Sequence, residues 1–159
     1  TKVNNKLNER GMVSESSANE KISELKKISS NIIPQKKKIL FAEDVVFFRK
    51  QVIKVLEKHG YESVVAENGE LAFKILESRP EDFSLILSDI EMPKMNGLEF
   101  AKAVRGNEKY SQIPMIALTT RFRDSDIKTG MQAGFNLYLE KLNEDKLIEG
   151  IQRFVKENI

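Results

Sequence analysis

With 159 residues the chain has room for one domain of ordinary size and a tail, and a second full domain would not fit beside the first. Hydrophobic residues at 40% and charged residues at 31% describe a water-soluble globular chain, and no apolar run approaches the roughly 20 residues that cross a bilayer, so membrane insertion is not expected. Cysteine is absent, which excludes disulfides, thiolate metal sites and cysteine nucleophiles and fits a reducing, cytoplasmic setting.

The net charge of +2 conceals an asymmetry. Residues 1–38 carry nine Lys/Arg against four Glu, net +5, which leaves net −3 for the remainder. No aromatic residue interleaves the basic positions as a single-strand nucleic-acid binder would require, so the stretch reads as a solubilising linker. Residues 1–36 are rich in Asn, Ser, Lys and Glu and are expected to be a flexible polar linker ahead of a domain over 37–159. Within the linker, Ile22, Leu25 and Ile28 recur behind Ser17 and Glu20, a capping-box pair, and predict a short amphipathic helix over 18–29. Such a helix could dock on the domain, pair with a partner or end an upstream module. The chain begins at Thr1 without a signal-peptide pattern, as a piece cut from a longer polypeptide would.

From Ile39 onward, short apolar runs alternate with longer stretches of helical period. Strands are predicted at 39–42, 63–66, 85–88, 115–119 and 137–140. The helices between them carry apolar stripes at Phe48, Val52, Val55 and Leu56, at Leu71, Ile75 and Leu76, and at Leu98, Ala101 and Val104. A weaker stretch surrounds Ile127 and Met131, and a last helix carries Leu147, Ile151, Phe154 and Val155. Gly60, Gly69, Gly97 and Gly134 fall at element boundaries. Five strand–helix repeats imply an α/β fold, a parallel sheet with helices on both faces.

In such a sheet the functional crevice lies beyond the carboxyl ends of the strands. There the first strand runs into Glu43 and Asp44, the third into Asp89, the fourth ends at Thr119 and the fifth is followed by Lys141. Three carboxylates at one sheet edge repel one another unless a cation sits among them, and oxygen ligands without His or Cys point to magnesium. Lys141 adds a fixed positive charge and Thr119 a hydroxyl donor. A carboxylate acceptor, a metal to draw off charge and donors for the remaining oxygens are the parts phosphoryl transfer needs.

The segments ILFAED (39–44), LILSDIEMPKMNG (85–97), PMIALTT (114–120) and YLEK (138–141) together resemble the CheY-like receiver domains of two-component response regulators, over roughly residues 37–158. The resemblance implies a flavodoxin-like, doubly wound five-stranded sheet in the order 2-1-3-4-5 with five helices. It also implies Asp89 as phosphoacceptor, Asp44, Asp89 and the Glu91 backbone carbonyl as direct Mg2+ ligands, and Glu43 acting through water. Lys141 would pair with the acyl phosphate, Thr119 would hydrogen-bond it, and Tyr138 would be the aromatic switch. Such a domain catalyses its own phosphorylation and dephosphorylation, taking the group from a histidine kinase phosphodonor and signalling through the face of its fourth helix, fifth strand and fifth helix.

Each motif has a simpler reading alone: Asp89 with Met92, Pro93 and Gly97 as an acidic turn, Glu43 and Asp44 as a helix cap, Tyr138 as strand packing. Capping does not explain a lysine and a threonine at two other strand ends. His59, the only histidine, precedes Gly60 at a helix end and reads as a dipole-compatible terminal residue, not a phosphodonor. Three features depart from the family pattern. Leu142 follows Lys141 in place of a proline, predicting a trans bond there; Thr120 replaces a small residue and narrows the path of Tyr138; Glu91 and Arg121 occupy rate-tuning positions where they could pair across the site mouth. Lys141-Leu142 with Val46-Phe47-Phe48-Arg49 resembles the receiver attached to CheA-type chemotaxis kinases, the rivals being a free-standing CheY-like regulator of a flagellar switch and a pseudo-receiver interaction module. No helix-turn-helix segment follows the last helix, so a DNA-binding output is not expected.

Overall fold

The computed structural model describes residues 15–32 and 38–155. In chain order its elements are α1 (Glu15–Ile32), β1 (Lys38–Ala42), α2 (Val46–Lys58), β2 (Glu62–Ala66), α3 (Gly69–Ser78), β3 (Leu85–Ser88), α4 (Gly97–Arg105), β4 (Met115–Thr119), α5 (Asp124–Ala133), β5 (Leu137–Glu140) and α6 (Glu144–Phe154). The chain divides between Gln35 and Lys36 into two units. In the first, α1 extends three residues beyond the predicted helix at each end. Ser17 therefore lies inside the helix and is not its cap; serine costs too little in a helix interior to stop one. Half of the expected flexible leader, 1–14 and 33–36, lies outside the described residues.

Among its described residues the second unit holds five strands, all parallel, in the order β2-β1-β3-β4-β5, with five helices. This is the flavodoxin-like doubly wound sheet. The last three strands have the predicted bounds, and β1 and β2 each begin one residue earlier. Because both faces are covered, alternate residues of one strand feed two cores. Leu40 and Ala42 of β1, Ile86 of β3, and Met115 and Ala117 of β4 join Ala72, Leu76, Phe100, Ala101 and Val104 on one side. Ile39, Phe41, Leu85, Leu87, Ile116 and Leu118 join Val52, Leu56, Leu147 and Ile151 on the other. Strands buried on both faces read as unbroken apolar runs, which is why the sequence shows them clearly.

Helix entry is set locally. Asn68, Asn96 and Asn143 each accept a hydrogen bond from a backbone N–H in the first turn of α3, α4 and α6, and Glu99 completes a capping box at α4. The α4 entry is also pressed against the end of β3. A Cβ at Gly97 would lie 2.1 Å from the Asp89 carbonyl oxygen, and the Gly97 N–H donates to the Ile90 carbonyl at 2.8 Å. Only glycine permits that approach. Three positions of the predicted apolar stripes are corrected: Phe48, Leu71 and Met131 belong to neither core, the last two being exposed, although Val52 and Leu56 of the Phe48 stripe and Leu76 of the Leu71 stripe do. No helix among the described residues is long and apolar enough to cross a membrane.

Candidate functional site

The carboxyl ends of β1, β3 and β4 and the residue after β5 converge on one edge. Backbone bonds that prolong the sheet fix them there: Glu43 N–H donates to the Ala66 carbonyl at 3.0 Å, Asp89 N–H to the Ala42 carbonyl at 2.9 Å, and Lys141 N–H to the Thr119 carbonyl at 3.0 Å. Glu43, Asp89 and Thr119 are buried, at 0%, 5% and 1% exposure.

Carboxylate oxygens of Glu43, Asp44 and Asp89 lie within 4.8 Å of one another. The buried Lys141 ammonium reaches two of these groups, Glu43 Oε1 at 2.6 Å and Asp89 Oδ2 at 3.2 Å. Asp89 Oδ1 accepts from the Ile90 N–H at 2.7 Å and Glu43 Oε2 from the Val45 N–H at 3.3 Å. Asp44 Oδ1 is buried without a hydrogen-bond partner. One ammonium against three carboxylates leaves the cluster short of positive charge, and burial pushes the Glu43 carboxyl up to about 7, with the Asp89 charge acting in the same direction and Lys141 against it. An orphaned buried oxygen and an all-oxygen ligand set short of positive charge are the marks of a site that fits a hard divalent cation.

The mouth of the site is an open cleft of about 500 Å³ lined by Asp44, Ile90, Glu91, Met92, Asn96 and Arg121. Across it, Arg121 and Glu91 form the ion pair expected from their positions, at 2.6 Å with both side chains half-exposed. Thr119 Oγ1 accepts from the Arg121 N–H at 3.1 Å. Tyr138 is buried and lies inward: its ring covers Gly130, where a Cβ would come within 2.7 Å of two ring carbons, and packs 5.9 Å from Phe122. Burial raises the Tyr138 phenol above its ordinary value, partly offset by a hydrogen bond with the Thr119 side chain. Thr120 points outward and is exposed, so it does not occupy the ring's place. After Lys141 the chain is trans, with Leu142 at φ 68°.

Sequence reasoning thus located Glu43, Asp44, Asp89, Thr119, Lys141, Glu91, Arg121 and Tyr138, and the structure brings the first five to one edge. It missed Gly130, whose signal was a glycine in a helix interior, where a packing reason is the usual cause. It also missed the contact of Phe48 with the site, its ring centroid lying 4.0 Å from the Lys141 ammonium.

Among known proteins, the family model of the response regulator receiver domain matches residues 39–152. A chemotaxis protein CheY homolog of Campylobacter jejuni subsp. jejuni is 35% identical over 105 residues, 65% of this chain and 80% of that protein. The structure of chemotaxis protein CheY4 of Vibrio cholerae superposes with a TM-score of 0.70 at 32% identity, covering 76% of this chain and all of that one. The receiver domain of Ssk1 from Saccharomyces cerevisiae, crystallised with the histidine phosphotransfer signaling protein Ypd1, does so at 0.69 with 27% identity, over 77% and 90% of the two chains. On the match to residues 39–152 and on this fold, the chain belongs to the response regulator receiver domain family.

Proposed function

We propose that Asp89 accepts a phosphoryl group from a phosphohistidine and that the modified domain then changes its affinity for a signalling partner. The observation that carries this reading is the Lys141 ammonium lodged between Glu43 and Asp89 beside the unpartnered Asp44 oxygen, a charge arrangement suited to an incoming phosphoryl dianion. An Asp89 carboxylate oxygen attacks phosphorus, the P–N bond to the donor imidazole breaks, and the departing ring keeps the electron pair and takes a proton from solvent. Glu43, Asp44, Asp89 and the Glu91 carbonyl would hold a magnesium ion, which when bound neutralises charge on the phosphoryl oxygens. Lys141 exchanges its ion pair with Asp89 for one with a phosphoryl oxygen, and the Thr119 hydroxyl donates to another.

The partners of this reading are a CheA-like histidine kinase as phosphodonor and a cytoplasmic protein bound at the face of α5, β5 and α6. The chemotaxis names of the Campylobacter and Vibrio relatives support the first, and the phosphotransfer protein crystallised with the yeast receiver supports the kind of donor. A full set of acid, lysine and hydroxyl groups favours an active receiver over an interaction module that needs no phosphate. Incubation with acetyl phosphate and magnesium, followed by intact mass, tests this. The wild type gains one phosphoryl group and Asp89→Asn gains none; a wild type that stays unmodified overturns the proposal.

A further inference from the structure

The Lys141 side chain, 6% exposed, has partners on three sides: Glu43 Oε1 at 2.6 Å, Asp89 Oδ2 at 3.2 Å and the ring of Phe48 at 4.0 Å. The first two are carboxylates that a divalent cation would also claim. The third carries no charge and no lone pair a hard cation can use. Phe48 is half-buried, belongs to neither core, and is braced by Phe47 in an edge contact at 5.4 Å. Its ring is therefore not committed to holding the fold together. An aromatic face attracts an ammonium through its quadrupole, most strongly where water is excluded. An aliphatic side chain of similar size would fill the same space without that attraction and would leave the flexible lysine stem free to swing toward the open mouth.

We propose that Phe48 is a positioning residue for Lys141, holding the ammonium over the acceptor when Glu43 and Asp89 turn their oxygens to a cation. This rests on the reading of Asp89 as phosphoacceptor, and it predicts two separable effects. The first is spectroscopic and needs no reaction: with 13C-labelled lysine, the Lys141 ε-methylene resonance lies upfield of the exposed lysines through the ring current of Phe48, stays there when magnesium is saturating, and moves to the exposed position in Phe48→Leu. The second is kinetic. At saturating magnesium, Phe48→Leu slows phosphorylation by acetyl phosphate about tenfold, as loss of a desolvated cation–π contact implies. Phe48→Tyr recovers most of the rate, and successive fluorination of the ring at position 48, which drains the π face at nearly constant shape, slows the reaction stepwise.

Structural packing alone would leave the fluorinated series flat, and a flat series overturns the proposal. So does a Lys141 resonance that shifts to the exposed position when magnesium binds the wild type. If the wild type takes up no phosphoryl group, the acceptor reading fails, and the resonance still decides whether Phe48 holds Lys141.

Discussion

The Glu43 carboxyl makes the stability of the metal-free protein depend on pH in an unusual direction. Its pKa rises from 4.5 in the unfolded chain to about 7 in the fold, with burial as the main cause. The 2.6 Å contact with Lys141 favours the carboxylate, but Lys141 is shared with Asp89, and a fully buried carboxyl loses more from desolvation than half an ammonium returns. A raised pKa means the folded state binds the proton more tightly than the unfolded state. The stabilisation is therefore complete below pH 4.5 and is lost as pH rises through about 7. At 1.36 kcal/mol per pH unit the interval corresponds to about 3 kcal/mol. Urea unfolding of the wild type and Glu43→Gln, with chelator present, at a series of pH values from 4.5 to 8 isolates this group from the others that titrate. The wild type is expected to lose about 3 kcal/mol relative to the variant across that range, and magnesium to recover it by claiming the carboxylate. Parallel stability curves for the two proteins would refute the reasoning.

Gly130→Ala places a methyl group 2.7 Å from two carbons of the Tyr138 ring, so the ring should turn outward; its exposure, read by NMR or tyrosine fluorescence, should rise, with a stability loss of about 1–3 kcal/mol. Arg105 donates to the carbonyls of Gly134, Ser111 and Ile113 and to Asn136 Oδ1, tying the ends of α4 and α5 to the β4 entry. Arg105→Met takes the side-chain donor from the three carbonyls, while Asn136 Oδ1 keeps the Met115 N–H at 2.8 Å, and should cost about 3 kcal/mol in chemical denaturation. Asp44→Ala removes the orphaned oxygen, and calorimetry should show at least a tenfold weaker magnesium affinity with no loss of fold.

The fold was legible because its three central strands are buried on both faces and glycines fall between the elements, signals that survive in one dimension. The candidate site was legible because the topology gathers strand ends at one edge, where Thr119 closes β4 and Glu43, Asp44, Asp89 and Lys141 follow β1, β3 and β5. What escaped depends on three-dimensional contacts between residues distant in sequence. Phe48 fits the helical period of Val52 and Leu56, and nothing in that period shows that its ring meets Lys141, 93 residues away. Gly130 and Tyr138 meet across a helix and a strand, and the bulk of Thr120, which sequence set in the ring's path, faces outward instead. The start of α1 escaped because serine and glutamate serve both as caps and as tolerable helix residues.

The central claim is that Asp89 is the residue that takes the phosphoryl group, and the acyl phosphate can be identified by its own chemistry. Treatment of the acetyl phosphate-reacted protein with borohydride reduces an aspartyl phosphate to homoserine, which tandem mass spectrometry of the proteolytic peptide spanning 85–97 locates by residue. The account predicts homoserine at position 89, dependent on magnesium and absent when acetyl phosphate is omitted. Homoserine at position 44, or none in a protein that has gained a phosphoryl group, would contradict it.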